Sequence, residues 1–288
     1  MTGAGRGLGR AHALELAAHG AWVVVNDRGT ALDGSGHDPG PARAVAAEIT
    51  GAGGRAVATS DDAADWDGGR RLVEAAVEAF GRLDGLVLSA GNLRDRYLVT
   101  MGPEDWDEVL RVHLRGHFVP LRWAAGHWRA RARAGEDVAA AAVLTTSLSG
   151  LAPNPGQANY GAAKAAIAAL CQTAAAELDR YGVRVNAVAP LARTRLTTST
   201  PGLAAHVAPP GDPAAFDAWD PARAAPLVAW LLTPACPLTG QVLGVHGATV
   251  TAWSPWAAGP EATAEGGWDL DGLARAVPDL VARAGATR

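Results

Sequence analysis

The sequence predicts an α/β fold built on a doubly wound parallel sheet. Three observations carry that expectation. Short β-branched runs alternate with helical patterns along the chain. The runs are nearly continuous in apolar residues rather than alternating, and a glycine-rich turn opens the first helical stretch. Continuously apolar strands belong to a sheet covered on both faces. Right-handed crossovers then put helices on both sides.

Strands are expected at 21–26 (AWVVVN), 55–59, 86–88, 140–145, 183–189 and 241–245. The first is a run of three valines closed by Asn26; the second is weaker, because its apolar residues are small. Helical spacing lies near 7–19, 40–52, 66–80, 104–134, 157–180 and 221–232. Residues 197–220 are rich in Thr, Pro, Ala and Gly and read as a mobile loop over a site. Residues 254–269 read as a linker. After it, Leu270, Leu273, Val277, Leu280 and Val281 fall on one side of an amphipathic helix over 270–284. The expected division is therefore a main domain over 1–253 and an extension over 254–288.

Composition removes several classes of function. A net charge of −4 gives no electrostatic footprint for nucleic acid or an anionic membrane. Two cysteines, Cys171 and Cys236, make no disulfide framework and have no metal-ligand spacing. No apolar N-terminal leader and no long uncharged apolar run is found. The expectation is a soluble, cytoplasmic protein.

The chain opens Thr2-Gly3-Ala4-Gly5-Arg6-Gly7-Leu8-Gly9 and then turns helical. Gly3, Gly7 and Gly9 permit a tight turn and close backbone approach to a pyrophosphate at a helix N-terminus, with Arg6 and Leu8 between them. The next strand ends at Asp27, where a carboxylate accepts hydrogen bonds from an adenosine ribose and repels a 2′-phosphate. That favours NAD over NADP; the competing reading of Asp27 is a turn residue or helix cap. Asp62 follows the strand at 55–59 and can reach an adenine edge, with a solvated Asp61-Asp62 pair as the alternative.

A dinucleotide loop normally follows a strand, and here the chain begins at the loop. That strand would lie between 21–26 and 86–88. Its about five buried apolar side chains, at about 1.5–3 kcal/mol each, match the whole stability of a typical domain, about 5–15 kcal/mol. The expectation is that translation starts upstream, with Met1 standing for a valine codon. The alternatives are that another segment fills the gap or that the product is defective.

Lys164 is the one lysine; every other one of the 25 basic residues is arginine. It follows Tyr160 by four residues in an Ala-rich helical run, so the two share a helix face. A compact ammonium beside a phenol favours phenolate and lowers its pKa, as a tyrosine acid/base requires.

Together these residues resemble the short-chain dehydrogenase/reductase family across roughly 2–250. TGAGRGLG, the Asp after the second strand, a Ser-Tyr-Lys set and the last strand occur in family order. VVVNDRG (23–29), LRDR (93–96), RVHLRGHF (111–118) and GQANYGAAK (156–164) are most similar to the (3R)-hydroxyacyl-CoA dehydrogenase unit of peroxisomal multifunctional enzymes and its bacterial relatives. The resemblance implies a Rossmann-like fold and hydride exchange between nicotinamide and a carbinol carbon. It makes Tyr160 the acid/base and Lys164 its partner, which also holds the nicotinamide ribose. Ser147 would position the substrate oxygen, with Ser149 as rival. His113 stands where many members have an Asn that supports a proton relay; packing is its other reading. Ser89-Ala90-Gly91 replaces Asn-Ala-Gly, and Ala90 and Gly91 still admit the cofactor. Pro190-Leu191 replaces Pro-Gly, and Thr194 can contact the nicotinamide carboxamide.

The expected activity is NAD-dependent oxidation of a secondary alcohol, best a 3-hydroxyacyl-CoA. The alternatives are a steroid or other lipid alcohol dehydrogenase, and a catalytically silent dinucleotide-binding or scaffold protein. Arg94, Arg96, Arg193 and Arg195 flank the expected mouth and can meet CoA phosphates or remain solvated. Trp106 and Trp230 read as core or interface anchors. Family members are usually homodimers or homotetramers, and the Ala-rich face of 162–176 suits helix packing between copies.

Overall fold

A computed structural model describes residues 1–199, 204–212, 214–254 and 258–284; parts of the expected loop 197–220 and linker 254–269 lie outside them. The chain forms two compact units, Met1–Trp253 and Ser254–Arg288. In the first, α1 (Gly7–Ala18), β1 (Trp22–Asn26), α2 (Gly40–Gly51), β2 (Arg55–Thr59), α3 (Trp66–Phe80) and β3 (Gly85–Leu88) alternate as expected. α4 (Pro103–Leu110) and α5 (Gly116–Arg133) lead to β4 (Ala140–Thr145) and a short α6 (Leu148–Leu151). Then follow α7 (Ala158–Leu178), β5 (Val183–Pro190), α8 (Arg195–Ser199), α9 (Ala225–Leu232), β6 (Val242–His246) and β7 (Thr249–Trp253). The second unit carries α10 (Leu270–Arg283), capped by the Asp269 carboxylate, which accepts the Gly272 N–H at 2.7 Å.

The strands lie in the order β1-β2 and β3-β4-β5-β6-β7, parallel except for the β6–β7 hairpin. Residues 1–4 join the two pieces. Thr2 N–H donates to Val87 O at 3.0 Å, Asn26 N–H to Met1 O at 2.9 Å and Ala4 N–H to Asn26 O at 2.9 Å. They thus supply the carboxyl end of the strand position expected between β1 and β3. Met1 also packs against the apolar clusters on both sides of that position.

β4 is buried at every residue, as a central strand covered on both faces must be. On one face Leu86, Ala142 and Leu144 pack under α5 and α7 against Trp128 and Ile167. On the other, Val87, Val143 and Val188 meet Val228 and Leu231 of α9. Trp128 anchors this core, fully buried, with its indole N–H donating to Leu83 O at 2.7 Å. Trp106 and Trp230 are more than one-third exposed, so neither is a core anchor.

Two departures from the sequence reading have physical causes. The single helix expected over 104–134 is broken by a π-turn at Arg111–Arg115. Shortly after, Pro120 lacks the N–H that a continuous helix would return to Gly116. β7 was not expected; it is an edge strand whose residues are mostly exposed, so no burial pattern marks it. Among the described residues no helix is long and apolar enough to cross a membrane.

Candidate active site

A cleft of about 540 Å³ runs along the carboxyl ends of the parallel strands, from Asp27 to Tyr160. This is where an open parallel sheet places its ligand. One wall is the glycine loop, and glycine is obligatory there. A Cβ on Gly3 would lie 2.7 Å from the Ala90 backbone, and one on Gly9 would lie 2.0 Å from Gly3 O. Gly3 and Gly7 also have positive φ, 63° and 51°. Across the cleft, a Cβ on Gly7 would sit 3.4 Å from the Thr194 methyl. Thr2 Oγ1 ties the loop to the next one, accepting the N–H groups of Ser89 at 3.2 Å and Ala90 at 3.4 Å.

Asp27 is half-buried at the end of β1. Its carboxylate accepts the Gly5 N–H at 2.8 Å and the Gly29 N–H at 2.7 Å, which orients it beside the loop. Asp62 lines the cleft, but its carboxylate is already engaged. One oxygen accepts the Ala64 N–H at 2.9 Å, and the other takes Arg111 at 2.8 Å and Arg28 at 3.2 Å. Burial raises this carboxyl, yet those bonds outweigh it and hold the pKa below its ordinary value. Arg6 and Arg195 both donate to Thr30 O, at 3.2 and 3.4 Å. Burial and the neighbouring Arg6 push Arg195 down from its ordinary value.

The other end of the cleft is assembled on α7. Asn159 fixes the first turn: its amide donates to Arg94 O at 3.0 Å and Asp105 O at 2.8 Å, and its oxygen accepts the Tyr160 N–H at 2.8 Å. The turn after β4 presses onto this helix, since a Cβ on Gly150 would lie 2.5 Å from Ala165 N. Thr146 Oγ1 donates to Lys164 O at 2.6 Å. Ser147 lines the cleft with Tyr160 and lies near enough to its hydroxyl to lower the phenol pKa. Ser149 instead accepts the Asn154 amide at 3.2 Å. Of the two serines, geometry brings Ser147 to the tyrosine.

His113, in the π-turn, stands edge-on to the Tyr160 ring, with centroids 5.0 Å apart. A Cβ on Gly91 would meet its Cε1 at 2.5 Å. Its Nε2 lies 2.8 Å from Asn92 O and 3.2 Å from Asn92 N. Burial, then Lys164, drives its pKa well below the ordinary value, so the ring is neutral. Lys164 is 3% exposed, and burial alone lowers it to about 7.

Here the structure corrects the simplest expectation for Tyr160 and Lys164. The ammonium does not rest on the phenol oxygen: Nζ donates to Thr145 O at 2.7 Å and lies 5.5 Å from the tyrosine ring centroid. Burial raises the phenol above its ordinary value, opposed by the Ser147 bond and reinforced by Asp95. Desolvation therefore outweighs the shared helix face in this state.

The mouth arginines divide. Arg193 is paired with Asp217 and also donates to Val207 O at 2.8 Å, and Arg96 lies 3.7 Å from Asp105. Arg94 donates to Asp33 O at 3.0 Å and Arg195 to Thr30 O, both neutral acceptors. Sequence reasoning missed Thr2, Thr146 and Asn159. Asn159 had a signal, a cap-forming residue immediately before the tyrosine; the two threonines act through tertiary bonds that spacing does not reveal. No group of three or more His, Cys, Asp or Glu able to hold a metal is present among the described residues.

Comparison with known proteins follows the same lines. The sequence profile of the family described as short chain dehydrogenase matches residues 1–201. The chain is 42% identical over 286 residues to the hydroxyacyl-CoA dehydrogenase ChsB1 of Mycobacterium tuberculosis, covering 98% of this chain and 87% of that one. It is 40% identical over 245 residues to the peroxisomal multifunctional enzyme type 2 of Mus musculus, covering 85% of this chain and 31% of that protein. The crystal structure of a short chain dehydrogenase from Mycobacterium avium superposes with a TM-score of 0.86 at 46% identity, covering 98% of this chain and 94% of that one.

Proposed function

The chain belongs to the short-chain dehydrogenase family of oxidoreductases, and from that premise we propose that it oxidises the 3-hydroxyl of a hydroxyacyl-CoA thioester with NAD. The observation that carries the reading is the meeting of Ser147, Tyr160, Lys164 and His113 at one end of a cleft whose other end is a glycine cradle. The cradle suits a nicotinamide dinucleotide, because Gly3, Gly7 and Gly9 leave open the space that a Cβ would fill. Gly3, Arg6, Gly7, Leu8 and Gly9 would hold its pyrophosphate, with Asp27 and Asp62 on the adenosine side. Ala90, Gly91, Pro190, Thr194 and Lys164 would hold the nicotinamide side. When bound, the dinucleotide supplies the hydride acceptor.

The chain's own groups do the proton chemistry. Ser147 holds the alcohol oxygen, and Tyr160 takes the hydroxyl proton as hydride leaves the carbinol carbon. In the reverse direction Tyr160 returns the proton to the carbonyl oxygen. Lys164 supplies positive charge on the tyrosine's helix face, and the neutral His113 fixes the ring from its edge. Asp27 supports NAD, since a carboxylate at that place repels a 2′-phosphate. The hydroxyacyl-CoA class is supported by the relatives' names and by Arg94 and Arg195 at the mouth, which donate to backbone carbonyls and have the Asp33 and Asp27 carboxylates as charged neighbours. Assembly as a homodimer or homotetramer is part of this proposal, and a monomer in light scattering would count against it.

The test is Tyr160→Phe. Turnover of a 3-hydroxyacyl-CoA with NAD should fall at least about 100-fold, while NAD still raises the melting temperature. Unchanged turnover would remove Tyr160 from the mechanism. Equal or better turnover with NADP would overturn the role given to Asp27. Activity on steroid alcohols but on no acyl-CoA would overturn the substrate class.

A further inference from the structure

One fully buried side chain touches the supports of three site residues and has no part in the mechanism above. His117 opens α5, four residues after His113. Its Nδ1 donates to His113 O at 2.7 Å, and its Nε2 accepts the Thr145 N–H at 3.2 Å. The short contact with the His113 carbonyl places the ring proton on Nδ1, which leaves Nε2 as the acceptor for the Thr145 N–H, with the Leu88 carbonyl also near the ring. Burial, with Lys164 nearby, pushes the pKa down to about 3, which keeps the ring neutral.

The place of the second bond matters. β3 and β4 run parallel with Leu88 opposite Leu144, and the Ala141 N–H bonds Asp84 O. Repeating that rung by steps of two residues aligns the Thr145 N–H with Leu88 O at the end of the ladder. The imidazole lies beside that rung, near the Leu88 carbonyl as well as the Thr145 N–H. Beyond it, β3 leads to Ser89, Ala90 and Gly91, and β4 leads to Thr146 and Ser147. Thr145 also offers its carbonyl to the Lys164 ammonium at 2.7 Å. So His117 is bonded on one side to the π-turn that carries His113 and on the other to the residue that holds Lys164.

We propose that His117 is a positioning residue, which fixes the ends of β3 and β4 and, through Thr145, the place of the Lys164 ammonium beside Tyr160. Without the imidazole, the last β3–β4 rung loses its tie to the π-turn. Thr145, and the lysine it holds, would then shift relative to His113 and Tyr160. The inference rests on the proposed roles of Tyr160 and Lys164, so its first readout needs no substrate.

The chain has three tyrosines, and subtracting the spectrum of Tyr160→Phe isolates the phenolate titration of Tyr160 in the NAD complex. His117→Leu keeps the volume and loses both bonds. His117→Gln can accept from Thr145 and donate to His113. His117→Asn is polar but too short to span both groups. The Leu and Asn variants should raise the Tyr160 midpoint by about one pH unit or more, the scale of a displaced neighbouring charge. They should also lower kcat about tenfold with KM for NAD within about threefold. Gln should return both readouts toward wild type. Should the Leu variant not fold, Asn against Gln decides: a raised midpoint in Asn alone supports the proposal, and equal midpoints overturn it. An unshifted titration in every variant overturns it as well. If turnover fails to respond to Tyr160→Phe while the titration responds to His117, the fault lies in the proposed mechanism and not in the positioning role.

Discussion

Replacing His12 with leucine should stabilise this protein, and more so in acid. His12 lies in α1, is fully buried, and neither ring nitrogen has a hydrogen-bond partner among the described residues. A buried polar group without a partner costs about 1–3 kcal/mol, and leucine has a similar volume with no polar atom. Burial also lowers the His12 pKa to about 4 from an ordinary 6.5. A histidine whose folded pKa is depressed contributes no penalty above the unfolded pKa and destabilises as pH falls below it, because only the unfolded chain takes up the proton. Between the two pKa values the loss is about 1.4 kcal/mol per pH unit, so at pH 5 it reaches about 2 kcal/mol for this residue. His12→Leu should therefore gain about 1–3 kcal/mol at pH 7 and roughly 3–5 kcal/mol at pH 5. Urea unfolding of both proteins at the two pH values measures this directly. A loss of stability at pH 7 would mean that His12 is satisfied by something such as ordered water. An equal gain at both pH values would mean that His12 is not held neutral.

Two further substitutions follow from contacts at the site. Gly91→Ala forces a methyl against the His113 ring; overpacking should cost about 1–3 kcal/mol, and the displaced imidazole should lower turnover, with Tm and kcat measured together. A variant with wild-type Tm and kcat would show that the ring yields freely. Lys164→Met should abolish turnover and yet stabilise the fold. The lysine's folded pKa of about 7 lies below its ordinary 10.5, so the wild type is penalised below pH 10.5, fully so below about 7, and recovers stability as pH rises between the two. Melting scans from pH 6 to 10 should show that rise in wild type and its absence in Lys164→Met; parallel curves would place the ammonium in water.

The sheet and most helices were legible because a parallel sheet buried on both faces writes itself as apolar runs. The 140–145 strand was readable from Ala140 to Thr145 for that reason. β7 was not, because an exposed edge strand obeys no burial rule. The interruption of the long helix at Arg111–Arg115 was also hidden, since the π-turn shows only as a shift of register, and the proline after it was the available clue. At the site, Tyr160 and Lys164 were legible through spacing and the rarity of lysine. The preference for Ser147 over Ser149 came from the family resemblance, and the structure adds that Ser149 is engaged by the Asn154 amide. The carboxylate of Asp62 was read as a cofactor contact, and what spacing did not show is that Arg28, just after β1, and Arg111, in the π-turn, also converge on it. Spacing locates groups on one element; it carries no information on what a second element brings to them.

The opposed shifts of Tyr160 and Lys164 bear on the direction of the reaction. Their ordinary values are close, 10.0 and 10.5. The same burial moves them apart, raising the phenol and lowering the ammonium to about 7, because each resists its charged form. Near neutral pH the site thus rests with a neutral phenol and a lysine close to its midpoint, whose Nζ donates a hydrogen bond to the Thr145 carbonyl. That state suits carbonyl reduction, for which Tyr160 must be an acid. Alcohol oxidation needs the phenolate, and the site by itself disfavours it. An added positive charge near the ring would favour the phenolate, and the oxidised nicotinamide carries one while the reduced form does not. On the proposed mechanism, Tyr160 would then serve as acid or as base according to which form of the dinucleotide shares the cleft.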